Sequence, residues 1–252
     1  MQGSDVFKTI HIPLVRSVIG LALRKASHII ALSNELKSVT VKFGVPDEQI
    51  TVIPNGVNIS KFPVGSKEGR KKQVIFVGSL IERKGVGFLI KAMSTLVTTH
   101  HDIRLLIVGE GKDRSSLEAL TRQLSLQDNV TFVGTQSQER VSELLRESRL
   151  FILPSIEEGQ GVVLVEALAS GTPCVGSRVG GIPDVITPDV GKVVDAGDVK
   201  GLSAAIESFL IDEDLWEATS DNARIRAETY YDWNSLAGKM VEIYQTVISG
   251  EE

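Results

Sequence analysis

The sequence predicts an α/β protein built on a doubly wound parallel sheet. Eight short runs rich in valine and isoleucine recur along the 252 residues, and most of them end in glycine or serine. The runs are residues 28–33, 50–56, 73–79, 103–111, 129–135, 149–155, 172–177 and 191–197. Segments with apolar residues at helical spacing, such as residues 88–96, separate them. Buried strands that alternate with helices are typical of parallel β-α-β units.

A polar segment, residues 58–72, divides this pattern. It carries Pro63, Gly65 and Gly69, which interrupt regular secondary structure, so we interpret it as a linker. Six of the strand runs follow it, enough for one complete Rossmann-like domain. Only two strand runs and two helical segments precede it, too few for a second complete domain. From Asp198 onward the sequence predicts helices alone.

The composition is that of an ordinary globular protein and argues against several functional classes. Hydrophobic residues make up 42% and charged residues 23% of the chain. The net charge is −5 and no long basic run is present, so nucleic acid is not an expected partner. The single cysteine, Cys174, excludes an intrachain disulfide and a cysteine-rich zinc site. The four histidines have no metal-ligand spacing.

The longest apolar stretch, residues 12–26, is too short for a membrane span of ~20 apolar residues and is interrupted by Arg16. Two interpretations remain open. In a membrane-surface helix, Arg16, Arg24 and Lys25 would face lipid headgroups; the sequence favours an amphipathic helix that packs on the sheet. The polar residues after Met1 indicate no signal peptide. The chain is therefore predicted to be cytoplasmic, with peripheral contact at the inner membrane face as the alternative.

The strongest functional signal lies in residues 157–173, EEGQGVVLVEALASGTP. Residues 158–161 are typical of a turn after a strand, and residues 162–170 predict a helix that Gly171 and Pro173 stop. The helix N-terminus would face the carboxyl end of the sheet, where open α/β sheets bind ligands. Its free N–H groups and its dipole favour an anion such as phosphate, and the glycines let the backbone approach that anion closely.

Two glutamates flank this predicted anion site. Glu166 lies among apolar neighbours, where a buried carboxylate is costly unless it has a partner. The helix rises roughly 7–8 Å between Gly161 and Glu166, which argues against the carboxylate pair of retaining glycosidases, about 5–5.5 Å apart. The arrangement suits a nucleotide-sugar, which has a hydroxyl-rich ring at each end and phosphate between them. The alternative is a helix-capping Glu158 and a solvent-facing Glu166.

A second candidate lies in residues 77–92, VGSLIERKGVGFLIKA. Gly78 and Ser79 follow a predicted strand, and Lys84 opens a predicted helix, where its charge opposes the helix dipole. A bound polyanion would offset that cost. An ordinary surface lysine explains the pattern equally well.

Together these residues resemble a known family. The pattern Glu158-Gly159-x-Gly161-x4-Glu166-Ala167, followed by Gly171-Thr172-Pro173, is similar to the Glu-x7-Glu signature of the retaining glycosyltransferases of family 4. Further similar motifs follow in the order expected of that family: HIIALS (28–33), VIPNGVN (52–58), FVGSLIERKGV (76–86), LLIVGEG (105–111), VTFVGT (130–135), VGGIPDVI (179–186) and YYDWNSLAGKMVEIY (230–244).

The resemblance implies the GT-B fold, in which two Rossmann-like domains face each other across a cleft. Residues 73–229 would form the nucleotide-sugar-binding domain, and residues 230–252 would form a closing helix that packs back on the N-terminal part. Residues 1–57 would be only the end of the acceptor-side domain, because MQGSD resembles a strand end late in that domain. Most of its sheet and its acceptor site would then be missing.

The resemblance also implies roles for individual residues. Glu158 would contact hydroxyls of the donor sugar and Lys84 would hold the diphosphate, and these two are the predicted catalytic residues. Glu166 would bind the ribose, the amides of residues 159–163 would meet the sugar and the distal phosphate, and residues 134–136 would lie near the base. The predicted donor-binding residues are Gly78, Ser79, Lys84, Gly134, Gln136, Glu158, Gly159, Gln160, Gly161, Val162, Val163 and Glu166.

The implied activity is transfer of a hexose, with retention, from a nucleoside-diphosphate sugar to a sugar, lipid or small-molecule acceptor, with no metal or other cofactor. The chain departs from the family pattern at three positions: Ser79 replaces a usual arginine, Gln160 a usual aromatic residue and Asp184 a usual glutamate. Two alternatives remain. One is a nucleotide-sugar-binding module that is catalytically incomplete without the missing half. The other is a nucleotide-sugar epimerase, which the glutamate spacing disfavours.

Overall fold

The protein contains two parallel sheets in the part of the chain that the structure describes. The structure is a computed structural model, and it describes residues 13–68 and 70–250. The predicted strand end at residues 1–5 lies outside these ranges. The strands are β1 (Ile29–Ala31), β2 (Ile50–Val52), β3 (Lys71–Val77), β4 (Arg104–Val108), β5 (Val130–Gly134), β6 (Ser148–Leu153), β7 (Cys174–Ser177) and β8 (Gly191–Val194). Every one lies in or overlaps a run that the sequence predicts.

The larger sheet has six parallel strands in the order β5-β4-β3-β6-β7-β8. This is the doubly wound order in which the chain starts at the centre, builds one half outward and then returns to build the other. The central strands read as continuous apolar runs because helices cover both faces. Val74, Ile75, Leu150 and Phe151 are completely buried there. The predicted α/β fold class is therefore confirmed.

Helices cover this sheet and continue to the C-terminal end of the described chain. They are α1 (Pro13–Lys25), α2 (Asn34–Val41), α3 (Val86–Leu96), α4 (Arg114–Gln123), α5 (Gln138–Glu147), α6 (Val162–Ala169), α7 (Ile182–Val185), α8 (Val199–Ile211), α9 (Glu213–Tyr230) and α10 (Trp233–Ser249). α3 packs against α4 and α8, whereas α6 packs against α5 and α9. The two groups form the two helical layers of the larger sheet.

The segment predicted as a linker, residues 58–72, is held against the larger sheet. Phe62 is completely buried, and Arg224 of α9 donates from Nη1 to its carbonyl oxygen at 2.8 Å. β3 begins at Lys71, two residues before the predicted run, because the backbone pairs with β6 from Ser148 onward. The predicted domain limits at residues 57, 72 and 229 stay predictions.

The smaller sheet, β1 and β2, has its own small core of Ile29, Ala31, Leu36, Val45 and Ile50. α1 packs on this core through Leu23, although Val18 and Leu21 on the same helix are exposed. No helix in residues 13–68 and 70–250 is long and apolar enough to cross a membrane.

α10 lies beside the connection between the two sheets. Val57 donates its N–H to the carbonyl oxygen of Tyr231 at 2.7 Å, and Trp233 donates its N–H to the carbonyl oxygen of Val57 at 3.2 Å. Leu236 is buried at this junction, whereas Tyr244 and Ile248 near the other end of α10 are exposed. The first turns of α10 are thus anchored, and its last turns have an exposed apolar face.

Candidate donor-binding site

The candidate site lies at the carboxyl ends of β3 and β6, the neighbouring strands where the winding of the sheet reverses. Open α/β sheets bind ligands at this switch point. The loops that leave the two strands are in direct contact, since Ile156 donates its N–H to the carbonyl oxygen of Arg83 at 2.7 Å. Gly85 fits the contact only as glycine: its φ is +65°, and a Cβ there would lie 1.9 Å from the carbonyl oxygen of Pro154.

Lys84 and Glu158 form an ion pair at this point. Lys84 ends a short 3₁₀ turn, Glu82–Lys84, immediately before α3, and its Nζ contacts a carboxylate oxygen of Glu158. The two side chains are only 14% and 9% exposed. Glu158 also accepts hydrogen bonds from Ser155 Oγ at 3.3 Å and from the N–H of Gly159 at 3.1 Å. The sequence analysis predicts that both residues bind the nucleotide-sugar, but it does not predict that they pair with each other.

α6 begins beside this pair and its N-terminus has no side-chain cap among the described residues. Gly161 precedes the helix with φ +78°, a left-handed conformation that glycine adopts readily. A Cβ at Gly161 would lie 2.6 Å from Cδ2 of Leu153. The positive end of the helix dipole therefore faces the switch point, where an anion would be stabilised. The N–H of Gly159 is directed to Glu158 instead.

Glu166 lies one helical turn further along α6. It is half-buried, and Gln138 at the start of α5 donates from Nε2 to its Oε1 at 3.4 Å. Burial raises the pKa of Glu166, and the hydrogen bond from Gln138 opposes that rise. The sequence predicts a costly carboxylate in need of a partner. Gln138 is the partner in this structure, and nothing in its local sequence marks it, because α5 and α6 meet only in the folded chain.

The residues predicted to lie near the base are grouped at the neighbouring strand ends. Gly134 ends β5 with φ +71°, and a Cβ there would lie 3.1 Å from Glu110 Oε1. Glu110 follows β4 and pairs with Arg114, a contact that the sequence does not predict. Gln136 donates from Nε2 to the carbonyl oxygen of Val133 at 2.8 Å. Gly78 and Ser79 directly follow β3; Ser79 is exposed, and Gly78 donates its N–H to the carbonyl oxygen of Val108.

The side chain of Gln160 is held by the backbone of Asn55. Its Oε1 accepts the N–H of Asn55 at 2.6 Å, and its Nε2 donates to the carbonyl oxygen of Asn55 at 3.2 Å. The residue is 3% exposed. The donor-binding role that the resemblance implies for Gln160 stays a prediction. Its side-chain amide is engaged by the backbone that follows β2.

A cavity of about 440 Å³ opens beside Glu158. Its lining includes Glu35 of α2 together with Glu157, Arg178 and Gly180. A larger cavity of about 650 Å³ at the β8 edge shares Arg178 and Pro183 with it, and its other lining residues include Gly191 and Gly201. Within residues 13–68 and 70–250, no three His, Cys, Asp or Glu side chains are grouped in a way that could hold a metal ion.

Comparison with known proteins identifies the family. Residues 58–226 match the family described as glycosyl transferases group 1, and residues 5–61 match glycosyltransferase family 4. The chain is 30% identical to N-acetyl-α-D-glucosaminyl L-malate synthase of Bacillus anthracis, over 98% of the chain and 66% of that relative. It is 32% identical to glycogen synthase of Mycobacterium tuberculosis, over 94% of the chain and 58% of that relative.

The fold is also found among solved structures. Sucrose-phosphate synthase of Thermosynechococcus elongatus matches with a TM-score of 0.83 and 27% identity, covering 94% of this chain and 62% of that protein. The chain thus spans 58% to 66% of the length of these three proteins. These matches confirm the resemblance indicated by the glutamate signature, and the chain belongs to the glycosyl transferases group 1 family.

Proposed function

We propose that this chain binds a nucleoside-diphosphate sugar at the N-terminus of α6 and serves as the donor-binding half of a retaining hexosyltransferase. In this proposal residues 73–229 form the donor domain and residues 1–57 the end of the acceptor-side domain. The observation that carries it is the Lys84–Glu158 ion pair beside the uncapped start of α6, at the switch point of the sheet. A diphosphate would offer Lys84 a more highly charged anion, and a sugar ring would offer Glu158 several hydroxyl donors.

Donor binding exchanges one set of contacts for another. The diphosphate takes over Lys84 and approaches the free amides at the start of α6, where main-chain N–H groups and the helix dipole favour it. Glu158, released from Lys84, accepts hydrogen bonds from sugar hydroxyls. Glu166 accepts the ribose hydroxyls in place of the long contact from Gln138. Because both carboxylates are shielded from water, each new hydrogen bond contributes more binding free energy than the same bond would on the protein surface.

The proposed reaction needs no protein nucleophile. The bond between the anomeric carbon and the distal phosphate oxygen breaks, and an acceptor oxygen forms a bond to the same face of that carbon. The departing phosphate oxygen accepts the acceptor's proton. Lys84 and the α6 amides stabilise the charge that develops on the leaving diphosphate, so a metal ion is not required in this proposal. Ser79, which is uncharged, contributes less positive potential than the arginine usual at its position.

A thermal-shift screen tests the proposal. UDP-, GDP- and ADP-sugars are added separately to the purified chain, and one of them should raise the melting temperature, because a ligand that binds only the folded state stabilises it. Glu166→Ala should then weaken binding of the matching nucleotide by about 1–3 kcal/mol in calorimetry, since a shielded hydrogen-bonded carboxylate is lost. Glu217→Ala, which removes an exposed glutamate from α9, is the matched control. Unchanged affinity in Glu166→Ala would refute its role.

A second candidate function is a nucleotide-sugar-binding module that transfers sugar only when another polypeptide completes it. One observation favours it: Tyr244, Val247 and Ile248 expose apolar surface on α10. Transfer assays separate the two candidates. Activity of the chain alone supports the transferase, whereas activity only after addition of a relative's N-terminal half supports the module.

A further inference from the structure

Asp184, in the short helix α7 that follows β7 of the larger sheet, binds α2, which follows β1 of the smaller sheet, through both of its carboxylate oxygens. Asn34, the first residue of α2, donates its backbone N–H to Oδ2 at 2.8 Å. Its side-chain Nδ2 donates to Oδ1 at 3.0 Å. The carboxylate thus lies at the N-terminus of a helix, where the dipole and two charge-assisted hydrogen bonds favour it. We call this contact the Asp184 clamp.

The main chain at Asp184 is fixed as firmly as its side chain. Arg226 of α9 donates from Nη2 to the carbonyl oxygen of Asp184 at 2.8 Å, and from Nε to that of Val185 at 3.0 Å. The hydroxyl of Tyr231 donates to the Asp184 carbonyl oxygen at 3.2 Å. The clamp therefore connects α2 to a segment whose carbonyl oxygens are held by Arg226 and Tyr231.

The turn before Asp184 holds the donor loop, residues 158–161. Gly181 donates its N–H to the carbonyl oxygen of Gly159 at 2.8 Å. A Cβ at Gly181 would lie 2.7 Å from that oxygen and 2.9 Å from Cβ of Ser33, the residue that caps α2. A Cβ at Gly180 would lie 1.7 Å from the carbonyl oxygen of Glu158. The turn thus packs directly against both α2 and the donor loop.

We propose that Asp184 is a positioning residue that couples the donor loop to α2, so that nucleotide binding at α6 also restricts α2. The coupling rests on the proposed function for its ligand, but the contacts that carry it exist without one. Since the donor loop and α2 share the Gly181 turn, tightening either one restricts the other. Coupling between two sites is reciprocal, so an intact clamp also favours the nucleotide-binding arrangement of residues 158–161.

Hydrogen exchange followed by mass spectrometry tests the coupling on the full chain. Asp184→Asn removes the charge at constant size, and Asp189→Asn makes the same change at an exposed position five residues away. Without ligand, Asp184→Asn should speed exchange in residues 34–41 and 158–163 about fivefold, the change expected from loss of one net hydrogen bond. Residues 130–134 of β5 should be unchanged. Asn34→Ala, which removes only the exposed side-chain donor, serves as the second variant if Asp184→Asn does not fold.

The same experiment with UDP, GDP or ADP measures the transmission. In the wild type, the nucleotide that protects residues 158–163 should also protect residues 34–41, and Asp184→Asn should lose only the second effect. Protection of residues 34–41 that survives in Asp184→Asn would overturn the coupling, as would unchanged ligand-free exchange in residues 158–163 of that variant. If no nucleotide protects residues 158–163 in the wild type, the proposed function fails, and the ligand-free comparison still decides whether the clamp holds the loop.

Discussion

The Lys84–Glu158 ion pair must open before a diphosphate can reach the lysine. Glu158→Gln removes the negative partner at constant size and leaves the Lys84 ammonium largely shielded from water. The two side chains are 14% and 9% exposed, so the small contribution of a surface ion pair does not apply. A hydrogen bond between charged groups contributes about 1.5–3 kcal/mol. We expect the ligand-free variant to lose about 2 kcal/mol of unfolding free energy.

That loss is measurable by thermal unfolding. A chain of this size shifts by about 2–4 °C per kcal/mol, so the melting temperature should fall by about 4–8 °C. Glu157→Gln is the matched control, because it removes the same charge from the exposed adjacent residue. Its melting temperature should stay within about 1–2 °C of the wild type, since surface substitutions usually change stability by less than 0.5 kcal/mol.

The affinity for nucleotide should change in the opposite direction. Because Lys84 no longer has an internal competitor, a nucleoside diphosphate without sugar should bind Glu158→Gln about tenfold more tightly, equivalent to about 1.4 kcal/mol. The nucleotide-sugar should gain less, since its hydroxyls lose the carboxylate that accepts them. Titration calorimetry with both ligands measures the difference. An unchanged melting temperature together with weaker diphosphate binding would refute the competition between Glu158 and the ligand.

Two further substitutions test the local physics of the site. Gly161→Ala should lower the unfolding free energy, measured by urea titration, by about 1–3 kcal/mol, because φ is +78° and the new Cβ would lie 2.6 Å from Leu153. Gly238→Ala is the control: its Cβ would lie in open space within α10, so it should be neutral or stabilising. Burial raises the pKa of Glu166, so the stability linked to its protonated form is present below about pH 4.3 and is lost as pH rises through the raised pKa. Glu166→Gln should remove this pH-dependent loss of unfolding free energy. If the unfolding free energies of the two proteins change with pH in the same way between pH 4 and 7, the prediction is wrong.

The sequence predicts those features that depend on local pattern. The strand runs predicted at residues 73–79 and 149–155 overlap β3 and β6, and the helix predicted at residues 162–170 matches α6 to within one residue. All three predictions rest on apolar runs and on the glycines that follow or precede them. The order of elements then predicts the edge of the sheet at which Lys84 and Glu158 lie. These predictions need only the chemistry of neighbouring residues and the geometry of a parallel sheet.

The sequence does not predict which side chains meet. Lys84 and Glu158 are 74 positions apart, and they touch because β3 lies next to β6, a pairing that the chain order alone leaves open. Gln160 is predicted to bind the donor, which stays a prediction, but the sequence does not show that the backbone at Asn55 binds both ends of its amide. The sequence analysis assigns no role to Asp184, yet its side chain binds Asn34, which is 150 residues away in the chain. Long-range contacts of this kind are set by packing rather than by propensity.

The central claim is that a diphosphate binds at the start of α6. Nuclear magnetic resonance of protein labelled with ¹⁵N-glycine tests it most directly, because Gly159 and Gly161 lie in the donor loop. Titration with the nucleoside diphosphate that raises the melting temperature should shift the amide signals of Gly159 and Gly161 and leave those of Gly191 and Gly201 unchanged. Shifts at Gly191 and Gly201, which line the larger cavity at the β8 edge, with none in the donor loop would contradict the account.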